Sequence, residues 1–266
     1  MKAILLLLLS VLSVGVGAED TQLTHGIFSE ILNEKTKVTV KLPLSYKANK
    51  NKTYPVFYVL DDGINTELVD SMNRRLHSSN GANEHIVIGV NTTDRLRDFA
   101  PSVNMDPRGP VGEGGGADKF LDYIETELMP YINKTYRTNN HNVVAGHSIA
   151  GLFVVHAFHS RPNLFQAHLA FSPAVWWGAR ETATAAQQYV IKGVSVGSFL
   201  YCNIGAEGGE MRAVYDNLTQ TILRNRSSDL ILYLDVFDNE SHDFTMAAGL
   251  YNALKGLYKY QQKKGM

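Results

Sequence analysis

Six short apolar runs constrain this chain more than any other feature: Val56–Leu60, His85–Val90, Asn142–Ala145, His168–Phe171, Phe199–Ile204 and Leu230–Val236. Each is too short for a core helix and lacks the polar alternation of a strand wet on one side, so each reads as a strand covered on both faces. Amphipathic stretches fall between several of them, most clearly at Ala117–Asn133, Ile149–His159, Ala179–Ile191, Glu210–Asn225 and Phe244–Tyr258. Strand and helix in alternation predict a mainly parallel, doubly wound sheet with right-handed connections. Ahead of it, apolar alternation in His25–Leu32 and Lys37–Leu42 predicts an antiparallel N-terminal strand pair. A length of 266 residues suits a single α/β domain, and 44% hydrophobic against 19% charged residues is the composition of a packed chain.

The termini and the charge narrow the setting. Met1–Ala18 reads as a secretory leader: Lys2 is the positive start, Ala3–Leu12 the apolar stretch, and Val16-Gly17-Ala18 the small residues before cleavage. The domain expected is then 19–266, in an exported, periplasmic or secreted protein without a membrane span once the leader is removed. Sequons at Asn51, Asn91, Asn133, Asn217, Asn225 and Asn239 leave the choice between periplasm and eukaryotic exterior to composition, and the periplasm is favoured. A net charge of −1 offers no field for a polyanion, so the expected partner is a small molecule and not nucleic acid. The single cysteine, Cys202, excludes an internal disulfide framework, and neither metal nor cofactor is expected.

In doubly wound sheets the ligand sits beyond the carboxyl ends of the strands. The long irregular stretch Asn91–Gly116 is expected to lie over that edge. The literal G-x-S-x-G pattern occurs at Gly193–Gly197, but Ser195 there follows a helix and precedes a strand, the reverse of a nucleophile elbow. Gly146-His147-Ser148-Ile149-Ala150-Gly151 departs from the literal pattern at Ala150, yet a strand precedes Ser148 and a helix follows it. The positions two before and two after the serine are small, as the close approach of the two backbones demands.

A serine hydroxyl needs a base, and chain order in this architecture runs serine, acid, histidine. Of nine histidines, His242 alone follows the last strand by a short polar loop and precedes the final helix. The acid belongs after the preceding strand, where Glu207 is first choice, with Asp238 or Glu240 as substitutes. An oxyanion needs two backbone N–H donors: one at Ile149, the other at Asp62 or Gly63 in the turn Leu60-Asp61-Asp62-Gly63.

Taken together, Tyr54–Asp61, Arg97-Asp98-Phe99-Ala100-Pro101, Gly115–Phe120, Ala145–Gly151, Phe171–Trp177 and Glu240-Ser241-His242 resemble the putative-esterase branch of the α/β hydrolases, which includes enterochelin and salmochelin esterases and relatives of esterase D. The resemblance spans nearly all of the chain after the leader. It implies an α/β-hydrolase fold with Ser148 as nucleophile and His242 as base. It also implies that the loop of Arg97 borders the cleft, where its guanidinium would bind an anionic or catecholate group, or would only tie the loop down through Asp98. One of Trp176 and Trp177 would wall the acyl pocket while the other packs in the core, with Trp176 the substrate-side candidate. The expectation is a serine esterase cleaving carboxylic esters through an acyl-enzyme, of siderophore type or on short-chain esters. The competing readings are an acyltransferase using the same acyl-enzyme and a silent binding protein on a hydrolase scaffold.

Overall fold

The apolar runs become strands, and their odd and even residues go to opposite sides of the sheet. The structure is a computed structural model that describes residues 22–107, 109–193 and 198–266. Both the leader and the rejected Ser195 lie outside them. The strands are β1 (Gln22–Ser29), β2 (Glu34–Lys41), β3 (Tyr54–Leu60), β4 (Ile86–Val90), β5 (Thr138–His147), β6 (Ala167–Phe171), β7 (Phe199–Ile204) and β8 (Ile231–Val236). They form one eight-stranded sheet in the order β1-β2-β4-β3-β5-β6-β7-β8. β2 runs antiparallel to both β1 and β4, and every pair from β4 to β8 is parallel.

The helices are α1 (Ile64–His77), α2 (Arg95–Phe99), α3 (Ala117–Tyr123), α4 (Met129–Thr135), α5 (Ile149–Ser160), α6 (Glu181–Ile191), α7 (Gly209–Asn225) and α8 (Thr245–Lys263). Because successive strand side chains alternate, Tyr58, Ile88, Val144, Ala170 and Cys202 face the core under α3, α5, α6 and α7. Phe57, Val59, Val143, Leu169, Phe171 and Tyr201 face the second core under α1 and α8. Cys202 sits mid-strand in β7, fully buried, and burial pushes its thiol up to about 12.

Three elements differ from the sequence reading. Ala117–Asn133 is not one regular helix: a π turn at Ile124–Leu128 separates α3 from α4 and realigns the apolar face by one residue. β8 is only half-buried along most of its length, because it is an edge strand and not a central one. The stretch Asn91–Gly116 contains α2 and a bridge between Val103 and Gly114, so it is a folded loop.

The parallel strands end on one edge, and backbone bonds stitch those ends together. Ser148 N–H donates to Phe171 O at 3.0 Å, Ser172 N–H to Asn203 O at 3.1 Å and Phe237 N–H to Ile204 O at 2.9 Å. This edge carries the Ser148 turn, the Glu207 loop and the His242 loop.

Candidate active site

Ser148 occupies the turn between β5 and α5 with φ 61° and ψ −117°, a conformation that L residues rarely adopt. The turn closes because its neighbours lack bulk. A Cβ on Gly146 would lie 2.4 Å from Ala150 O, and one on Gly151 would lie 3.0 Å from Phe171 O. Ser148 O in turn accepts from Leu152 N–H at 2.9 Å and from Ala174 N–H at 3.0 Å, tying the elbow to its own helix and to the loop after β6. We expect Gly146→Ala to force α5 off β5, lowering the melting temperature by an amount equivalent to about 1–3 kcal/mol and removing most activity. Thermal denaturation and a rate assay on the purified variant check both.

His242 opens a single 3-10 turn, His242–Phe244, ahead of α8. Its Nδ1–H donates to Glu207 Oε1 at 2.8 Å, which leaves Nε2 as the basic nitrogen. The carboxylate side chain is 8% exposed and the imidazole 33%. Burial pushes the Glu207 carboxyl up, but the Ser172 hydroxyl, the His242 imidazole and Glu207's own backbone N–H outweigh it, and the group sits below its ordinary value. Ser172 Oγ and Glu207 Oε2 are both buried, and neither completes a hydrogen bond of good geometry. Ser172 has φ 37°, a second strained residue on this edge.

Gly205 lets the acid and histidine loops meet: a Cβ there would lie 2.5 Å from Glu240 O and 2.9 Å from Glu207 Oε2. Ala206 N–H donates to Glu240 O at 2.8 Å across the same gap. Of the substitute acids, Asp238 pairs instead with Arg212 at 3.3 Å.

Ile149 is the first residue of α5, so its N–H has no partner within the helix. The turn Asp61–Gly63 lies beside it, because β3 and β5 are paired with Val59 opposite Ala145. Asp61 and Gly63 both have positive φ, 55° and 78°. The side chain of Asp62 turns away to the β2–β4 surface, where Oδ2 accepts from Thr39 Oγ1 at 2.6 Å and from Asn91 Nδ2 at 3.0 Å. Gly89 makes room for it, since a Cβ there would lie 1.9 Å from Asp62 Oδ1. Asn91 Nδ2, the atom a glycan on that sequon would need, is thus engaged.

The two arginines of α2 divide the work differently from the sequence reading. Arg97 is held on the outside of the loop by Asp98, at 2.7 and 2.9 Å, and by Glu34 at 2.9 Å. Of its two readings, tying down the loop is the one these bonds describe. Arg95, to which the sequence assigns no role, forks onto the Asp61 carboxylate at 2.7–2.9 Å and donates to the His147 carbonyl at 3.2 Å. The signal available in the sequence was Asp98, the acid adjoining Arg97 that captures its guanidinium.

The tryptophans also separate. Trp177 is buried, with its indole N–H on Ser102 O at 2.8 Å. Trp176 is half-buried, its ring edge against Gly109, where a Cβ would lie 3.2 Å from it. The loop therefore closes over the Trp176–Trp177 segment.

The family model Esterase, described as Putative esterase, matches residues 29–247. The chain belongs to this family. The ferri-bacillibactin esterase BesA of Bacillus subtilis (strain 168) is 33% identical to it over 142 residues, covering 47% of this chain and 49% of that one. The siderophore enterobactin esterase of Emericella nidulans is 33% identical over 123 residues, 40% of each chain. The chain thus spans about half the length of the curated relatives it matches. Among solved structures, an IroE-like serine hydrolase from Shewanella oneidensis superposes with a TM-score of 0.84 at 26% identity, covering 90% of this chain and 80% of that one. The α/β-hydrolase fold read from the sequence is the fold this member of the esterase family has. Among the described residues no helix is long and apolar enough to cross a membrane.

Proposed function

We propose that this protein is a serine esterase that hydrolyses carboxylic esters through an acyl-enzyme. The observation that carries the reading is the 2.8 Å bond between His242 Nδ1 and Glu207 on the strand edge that holds the strained Ser148 turn. In this reading Ser148 Oγ attacks the ester carbonyl carbon while its proton passes to His242 Nε2. The oxyanion is met by the N–H of Ile149 and one from Asp62 or Gly63. Collapse expels the alcohol, which takes the proton from His242. Water, deprotonated by the same nitrogen, then releases the acid and regenerates Ser148. Glu207, held as a carboxylate, stabilises the imidazolium formed at each transfer and fixes the tautomer with Nε2 unprotonated. Glu207→Gln is expected to lower kcat by about 10³–10⁴-fold with little change in KM, measured on a chromogenic ester.

For the substrate, we propose a small ester of siderophore type or with a short acyl chain. The support is the activity of the siderophore esterases it is similar to and the half-buried Trp176 beside the folded loop, an aromatic wall suited to a flat group. Arg97 is proposed to serve only through the loop it secures. Export by the Met1–Ala18 leader, giving a domain that starts at Glu19, rests on its composition and is tested by N-terminal sequencing of the secreted or periplasmic product.

Hydrolysis of a short p-nitrophenyl ester series beside a catecholate trilactone tests the function. We expect turnover of at least one, with stoichiometric labelling of Ser148 by a fluorophosphonate. A protein that neither turns over nor labels would overturn the reading.

A further inference from the structure

The residue before the nucleophile is a histidine whose ring the ester chemistry does not use. His147 Nε2 lies 2.8 Å from the backbone oxygen of His242. Because that partner is a carbonyl, Nε2 carries the proton and donates it. The His147 and His242 rings are in contact, with centroids 4.6 Å apart and planes at 45°. Thr245 Oγ1 also donates to His242 O, at 2.9 Å, from the buried first residue of α8, whose own carbonyl accepts from Asn203 Nδ2 of β7 at 2.8 Å. His147 is the donor that reaches this carbonyl from the strand leading to Ser148.

The fixing is needed because the neighbouring residues Asp238, Asn239, Ser241 and Asp243 are exposed, and Phe244 is 62% exposed. His242 therefore sits on a turn that burial does little to immobilise. Its imidazole must nevertheless keep Nδ1 on Glu207 while Nε2 serves the serine. Behind His147, its own carbonyl accepts from Arg95, whose fork on Asp61 continues the connection to the turn proposed to supply the second oxyanion donor.

We propose that His147 is a positioning residue: its Nε2–H, bonded to the His242 carbonyl, sets the distance between the base loop and the Ser148 elbow. This rests on the esterase reading of the site. Burial and the adjoining His242 ring hold His147 below its ordinary value, which keeps it neutral while His242 takes up the proton.

The test compares His147→Leu, which removes the donor, with His147→Gln, whose amide nitrogen can donate in its place. Both are run beside wild type and Ser148→Ala on a p-nitrophenyl ester, with fluorophosphonate labelling rates and melting temperatures. The expected result is a fall in kcat of about 10–100-fold for His147→Leu at nearly unchanged KM, with labelling slowed in parallel. His147→Gln should recover to within about threefold of wild type. Leucine and glutamine variants that are equally active, or equally impaired, would overturn the positioning role. If Ser148→Ala is dead in the same assay, the esterase reading stands and only the role of His147 falls. If Ser148→Ala is active, the underlying reading falls first.

Discussion

Ser148→Ala is expected to lower kcat for a p-nitrophenyl ester by at least about 10⁴-fold while leaving KM within a small factor. The hydroxyl oxygen bonds to the carbonyl carbon only on the way to the transition state, so its loss removes rate and not ground-state binding. The substitution leaves the turn as it is: alanine at φ 61° is as strained as serine, and the bonds that close the elbow run from backbone atoms. The melting temperature should therefore stay within a few degrees of wild type. Any residual rate would come from the oxyanion donors and from binding. A variant that keeps wild-type turnover with an unchanged fold would remove Ser148 from the chemistry.

The second large effect concerns stability in acid. Burial drives six histidines down, and four of them far: His85 and His168 to about 3, His141 and His159 to about 4. In the unfolded chain each imidazole takes its proton near 6.5. Between that pH and about 4 the unfolded state binds more protons than the folded one, so stability falls as pH falls through this window. At pH 5 each refused proton is worth up to about 2 kcal/mol, and in sum that is comparable with the net stability of about 5–15 kcal/mol of an ordinary domain. The depressed carboxyls of Glu84 and Glu207 add a further loss below their unfolded value of 4.5.

Urea denaturation at pH 7, 6 and 5 should show the midpoint dropping at each step. His168 offers the sharpest control. It is fully buried between the rings of Phe158 and Phe165, at 5.5 and 5.9 Å, and neither ring nitrogen has a hydrogen bond of good geometry. His168→Leu should flatten the pH dependence and raise the midpoint at pH 5 above wild type. A midpoint that does not move between pH 7 and 5 would contradict the account.

The sheet and its active edge were legible because they rest on local demands. Apolar runs of five or six residues admit little besides buried strands, and the elbow needs Gly146 and Ala150 small whatever surrounds it. Glu207 and His242 were reachable from chain order, and the structure brings them together.

What stayed hidden depends on partners far away in sequence. α1 gives a weak apolar signal because Thr66, Asp70 and Asn73 are buried along it beside Val69 and Leu76. The π turn inserts one residue into a pattern that periodicity alone reads straight through. Arg95 and Arg97 share one short helix, and only the placement of Asp61, Asp98 and Glu34 decides which guanidinium braces the elbow. His147 carried no sequence signal of its role, since its partner is a backbone oxygen.

Cys202 turns its burial in β7 into an experimental handle. It is the single thiol of the chain, and burial keeps it fully protonated at neutral pH. A thiol reagent can therefore count only molecules in which β7, one strand in from the edge of the sheet, has been uncovered. In native buffer its rate of incorporation becomes a clock for the opening of this side of the sheet, read without denaturant. A cysteine introduced on the surface would be the one site labelled in the closed protein, so a reporter dye could be placed near the cleft without first removing the native thiol.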